Sequence, residues 1–157
     1  MREIFLLISG IIATAIMTLL MYMIGFFTGK RIALFHFLGT MAYPGKTSNS
    51  FLKNAFAIIL HFLVGILYAF VYSWLWSIGI GKPNFFWSII FGIASGIIAI
   101  MGWGILISKS KNPPAIALKV FFTGLFFTHI VFSIIVFFTY LFLERYPLPL
   151  VQSLNCG

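Results

Sequence analysis

Long apolar runs separated by short polar connections dominate the chain. Ile4–Phe27, Ala55–Ile80, Phe85–Ile107 and Val120–Leu143 each hold at least 23 residues with no Asp, Glu, Lys or Arg. About 20 such residues suffice to cross a hydrocarbon core as a helix. The period-two alternation of a barrel strand is absent, and unsatisfied peptide groups are too costly in lipid for irregular backbone to span it. The pattern therefore predicts an all-α fold: an integral membrane four-helix bundle of two tandem two-helix hairpins, one domain over residues 1–157.

The connections differ in character. The first, residues 28–54, is the longest. Gly29 opens it as a helix stop, and Phe35, Leu38 and Met41 recur at three-residue spacing within "IALFHFLGTM". That spacing predicts a short helix over about residues 31–42, lying on the cytoplasmic membrane surface or tucked under the bundle. The following "GTMAYPGKTS" imitates a phosphate-binding loop, but Gly39 and Gly45 are separated by five residues where G-x-x-x-x-G-K-[ST] needs four, and no strand precedes it. The second connection, "GKPN", is so short that spans two and three are expected to form a tight antiparallel pair. The third, "SKSKNPPAIALK", reads as a stiff loop, and the tail from Glu144 as irregular.

Charge adds an orientation. Lys30, Arg31, Lys46, Lys53, Lys109, Lys111 and Lys119 flank or fill connections one and three, whereas Arg2, Lys82 and Arg145 lie on the other side. By the positive-inside rule, connections one and three are cytoplasmic and both termini are outside. The net charge of +8 is thus topological first, and such a face attracts anionic lipid; nucleic acid is not an expected partner, because no soluble basic domain exists. The start "MREIFLLISGIIATA" resembles a cleavable signal, yet its apolar run continues unbroken to Phe27, which favours an uncut first span. Cys156 is a lone cysteine, which excludes an intramolecular disulfide.

The two halves of the chain share a pattern. "SGIIATAIM" starts at Ser9 and "SGIIAIMGW" at Ser95, while "HFLVGILYAFVY" from His61 aligns without gaps to "HIVFSIIVFFTY" from His129. Each even-numbered span carries a histidine, a small residue at +4 (Gly65, Ser133) and a tyrosine at +11 (Tyr72, Tyr140). Offsets of 4 and 11 fall near one helix face. His61 lies eight residues after Lys53 and His129 ten after Lys119. The two-residue difference is roughly 3 Å of helix rise, so the imidazoles are expected to meet near the bundle axis. Span one adds a stripe of Gly10, Thr14, Thr18 and Tyr22, and span three adds Ser88, Gly92 and Gly96. Both suit close helix packing through small residues, with hydroxyls bonded back to their own helix.

With "SGIIATAIMT", "LGTM", "HFLVG…Y" and "THIVFS…Y", the chain resembles a widespread group of small, uncharacterised four-helix bacterial membrane proteins, defined only as a domain of unknown function. The resemblance runs from about Ser9 to Tyr140. Members usually have glycine four residues after the second histidine, where this chain has Ser133. The resemblance implies a bacterial inner membrane and this topology; it carries no activity.

Three functional classes remain. The first is a small accessory or structural protein whose histidines bond to hydroxyls on neighbouring helices, with a membrane protein or a second copy as partner. The second is a haem- or quinone-binding electron-transfer anchor: His61 and His129 as axial ligands of haem b, Gly65 and Ser133 making room, Tyr72 and Tyr140 lining the site. The third is a proton or small-solute permease formed by an oligomer, since ionisable groups inside spans mark functional sites. A zinc or copper site would need a third ligand such as His36. Catalysis is not expected, because the only carboxylate side chains, Glu3 and Glu144, lie at the ends of the spans.

Overall fold

A computed structural model describes residues 2–30, 32–43, 49–110, 113 and 116–146. Part of the "AYPGKTS" turn, part of the double-proline loop, and the tail with Cys156 lie outside the described residues. All regular structure among the described residues is helical: α1 Arg2–Phe27, α2 Leu34–Ala42, α3 Ser50–Ser77, α4 Phe85–Lys109 and α5 Leu118–Arg145. The four long helices are apolar and long enough to cross a membrane, and the chain is a multi-pass membrane protein.

Helix ends follow local chemistry more than hydropathy. The α3 start lies at Ser50, five residues before the apolar run, because Asn49 Oδ1 caps the helix by accepting from the amides of Phe51 (2.9 Å) and Leu52 (3.4 Å). At the other end Ile78 and Ile80 are apolar but not helical. Gly79 adopts φ 84°, Ile80 N–H donates to Leu75 O at 2.9 Å and Gly79 N–H to Trp76 O at 3.2 Å. This is the paired hydrogen bonding of a left-handed glycine stop. Gly29, at φ 64°, ends α1 in the same way, with Lys30 N–H on Gly25 O at 3.0 Å.

Each hairpin packs through small residues. In the first, α1 lies on α3: a Cβ at Gly10 would sit 2.8 Å from Ile66 Cα, and one at Gly65 would overlap Thr14 Oγ1. In the second, α4 lies on α5, where a Cβ at Gly92 would sit 2.6 Å from Ile130 Cα. The hairpins join through α1 and α5, giving the lateral order α3–α1–α5–α4. Half of the apolar stretch of α1 and of α5 is buried, against 22% for α3 and α4, so the inner helices form the core and the outer pair faces lipid.

The expected tight pairing of spans two and three does not occur. The backbones of α3 and α4 scarcely approach each other despite the short loop between them. Aromatic side chains wedge them apart: Tyr72 stacks on Phe91 at 5.1 Å between ring centroids, and Trp76 lies on the same Phe91 at 6.4 Å. Adjacency in sequence constrains only the loop end, and bulky rings between the helices set the spacing beyond it. α2 covers the gap at the opposite end, packing on α3 and touching α4. Ile32, Leu34 and Leu38 are buried there, so the segment is tucked under the bundle rather than spread along its surface. Its close approach to α3 depends on Gly39, where a Cβ would overlap the Lys53 carbonyl.

Gly92→Val should drive the side chain into the Ile130 backbone and cost about 1–3 kcal/mol. Gly102→Ala, where a Cβ meets no atom within 4 Å, should change stability by less than about 0.5 kcal/mol. Equilibrium unfolding in mixed micelles checks both; equal effects would overturn this packing of α4 on α5.

Candidate functional site

His61 and His129 line one cavity of about 100 Å³ between α1, α3, α4 and α5. Its walls are Met17, Met21, Leu34, Val64, Trp103 and Phe132, with Gly65, Tyr68, Thr18 and Thr128 among its other residues. The meeting expected from the two histidine stripes is therefore a shared cavity wall, and what each ring bonds to defines its chemistry.

On α3, His61 Nε2 lies 3.0 Å from Thr18 Oγ1 of α1. Thr18 has a single hydroxyl proton, and it is donated to Thr14 O at 2.7 Å. Threonine can therefore only accept from the imidazole, so Nε2 carries the ring proton. Nδ1 of a neutral His61 is then a bare acceptor. His129, on α5, has the opposite arrangement. Its Nδ1 lies 2.8 Å from Leu125 O, one turn earlier on the same helix, and a carbonyl can only accept. Nδ1 carries the proton, and Nε2 is the bare acceptor, with no protein partner among the described residues. No carboxylate lines the cavity to balance a charged imidazole. The two rings are thus held in opposite tautomers, each with one lone pair unspent.

Tyr68, which the repeat does not single out, completes the polar set. Its ring meets His129 edge-on at 6.3 Å and 81°, it lines the cavity, and its hydroxyl makes no hydrogen bond to protein among the described residues. Only its spacing of seven residues from His61, two helical turns, could have marked it in the sequence.

The remaining residues anticipated for the site go elsewhere. Tyr72, Ser133 and Tyr140 do not line the cavity. Tyr72 donates to Ser95 Oγ at 3.0 Å inside the aromatic layer that separates α3 from α4. Ser133 Oγ is buried with no partner at hydrogen-bond geometry among the described residues. Tyr140 packs with Phe5, Leu6 and Leu143 at the end of the bundle remote from α2, its hydroxyl 3.5 Å from Glu144. Gly65 does line the cavity, but the space above it is taken by Thr14. His36 is exposed on the outer face of α2 and is no third ligand, and the described residues hold no group of three metal-ligating side chains.

A bis-histidine haem does not fit these residues. The proton-bearing nitrogens, His61 Nε2 and His129 Nδ1, are engaged by Thr18 and Leu125 O, and the room beside the rings decides against a macrocycle. The shared cavity of about 100 Å³ is also well below the ~300 Å³ at which pockets begin to hold drug-sized molecules.

The cavity has one conspicuous side. A second space of about 400 Å³, lined by Leu38, Leu60, Gly102, Ile105 and Leu106, shares His61, Val64, Ala99 and Trp103 with the first. It lies in the gap between α3 and α4, and Ile105 on its rim is 53% exposed. Toward the α3–α4 loop the gap is closed by the Tyr72, Phe91 and Trp76 rings. At the other end Leu34 lines the cavity and Phe35 meets the His61 ring at 5.8 Å.

Long-range ¹⁵N NMR of the histidine rings should report Nε2–H for His61 and Nδ1–H for His129. Thr18→Val should release the first and spare the second; identical tautomers in the parent protein would overturn the assignment. Purified from haem-replete cells, the protein should show no Soret band.

No protein-family model, curated protein or solved structure matches the chain.

Proposed function

We propose that the chain is a small accessory protein of a bacterial inner membrane that binds a lipid-soluble ligand between its two hairpins, with His61 and His129 at the inner end of the site. The observation that carries this reading is the pair of adjoining cavities, which share His61, Val64, Ala99 and Trp103: an apolar outer one between α3 and α4 and an inner one lined by two imidazoles. A packing role alone calls for each imidazole to spend both nitrogens on the protein. Here each retains one, on a residue that lines the inner cavity, and the outer cavity lies between the two helices that are least buried.

The wider setting follows the charge pattern and the family resemblance. The α2 end, carrying Lys30, Lys53, Lys109 and Lys119, is the cytoplasmic end, and both termini are outside. Those lysines hold the protein against anionic headgroups. A quinone-like molecule falls within the same lipid-soluble class. Permeation through a single copy is disfavoured, because the stacked Tyr72, Phe91 and Trp76 rings close the gap toward the far side.

Ala99→Phe should test the reading, since Ala99 lines both cavities and touches neither histidine bond. Native mass spectrometry from mild detergent should find a bound amphiphile on the parent protein and lose it in the variant, with helix content unchanged. Equal retention by both would exclude the gap between α3 and α4 as the site.

A further inference from the structure

We infer that the ligand enters head-first and that its head is a neutral hydroxyl, an alcohol or a phenol, donated to His129 Nε2. This deepens the proposed binding of a lipid-soluble ligand and rests on it.

The donors and acceptors of the inner cavity lead to this class. His129 is 94% buried, being 6% exposed, and Nδ1 is committed to Leu125 O, which leaves Nε2 as an acceptor without a protein partner among the described residues. His61 adds a second acceptor at Nδ1, because Nε2–H is committed to Thr18. The hydroxyl protons of Thr18 and Thr128 go to backbone carbonyls, at 2.7 Å on Thr14 O and 3.1 Å on Leu125 O. What these threonines leave for a guest is acceptor capacity alone. The residues lining the cavity with a proton to give are Tyr68, through its hydroxyl, and Trp103, through its indole N–H.

A guest must therefore donate at least one hydrogen bond, and it can accept from the Tyr68 hydroxyl or the Trp103 N–H. A carboxylate or phosphate head fails, because no lysine or arginine among the described residues lines either cavity. An ammonium head fails for the converse reason, since no carboxylate is present to compensate a charge buried there. A ketone, aldehyde or ester can satisfy Tyr68 but leaves both imidazole lone pairs unmatched. A hydroxyl matches both sides at once: its proton goes to His129 Nε2 and its oxygen accepts from Tyr68. The inner space of about 100 Å³ suits a compact head, and the outer 400 Å³ groove, walled by Leu60, Val64, Trp103 and Leu106, suits a hydrocarbon tail leading to the bilayer.

The test uses three probes with one tail: 1-dodecanol, dodecyl methyl ether and dodecanal, titrated onto the full chain in lipid nanodiscs. Binding is read by the ¹⁵N resonance of His129 Nε2, with Ala99→Phe as the control for partition into lipid. The alcohol should bind about tenfold more tightly than the ether or the aldehyde, the effect of one well-made buried hydrogen bond. It alone should move the His129 Nε2 signal. His129→Phe should bring the alcohol down to the level of the ether; should that variant misfold, the three-probe series on the parent protein decides alone. Equal or tighter binding of the ether or aldehyde overturns the hydroxyl inference while leaving the lipid-side cavity standing. If no probe binds the parent protein above the Ala99→Phe control, both readings fall.

Discussion

Close backbone approach inside each hairpin is the constraint on which the rest of the structure depends. Between apolar helices in lipid there is little hydrophobic gain from association, so packing must come from contact at short range. Gly10 and Gly65 bring α1 onto α3, and Gly92 brings α4 onto α5, each at a place where a Cβ would strike the neighbouring helix. Thr14 occupies the room that Gly65 leaves, and its hydroxyl is satisfied by Gly10 O at 2.6 Å, so the contact buries no unspent polar group. The two inner helices, α1 and α5, then close the core with Ala13, Met17, Phe132 and Val136.

That economy within the hairpins contrasts with the gap between them. α3 and α4 carry rings where they face each other: Tyr72, Trp76, Trp87 and Phe91 form a layer that fills the space near their shared loop. Farther along, no such ring layer spans the two helices, and the gap persists as the two cavities, with Val64, Ala99 and Gly102 among the residues beside it. The same pair of helices is thus wedged at one end and open at the other. α2, anchored by Leu34, Leu38 and the Gly39 contact with α3, caps the open end beneath the histidines.

The histidines differ from each other because their surroundings engage a different nitrogen of each ring. One bond goes across to a neighbouring helix and the other goes back along its own, so two residues equivalent in the repeat keep different nitrogens unbonded. The difference grows from their neighbours. Thr18 of α1 stands opposite His61, whereas the His129 ring turns back to Leu125 O and meets Tyr68 of the other hairpin edge-on. The positions matched by the repeat diverge further at the tyrosines, where Tyr72 reaches Ser95 while Tyr140 lies near Glu144.

The fold was largely legible along the chain, because hydropathy over 20-odd residues and the glycine stop at Gly29 are local signals that need no knowledge of neighbours; the stop at Gly79 lay hidden inside an apolar run that continues to Ile80. The small-residue stripes marked the packing faces for the same reason: a glycine on one helix face reports closeness whatever lies opposite. The candidate site was legible only in His61, His129 and Gly65. Sequence spacing places side chains on a face of one helix, but it says nothing about the order of helices around the core. That order, α3–α1–α5–α4, depends on how four apolar surfaces share the core, and tertiary packing alone decided it. It turned Tyr72, Ser133 and Tyr140 away from the cavity, brought Tyr68 and Thr18 to it, sent His36 outward, and left the space between α3 and α4 open beside the imidazoles.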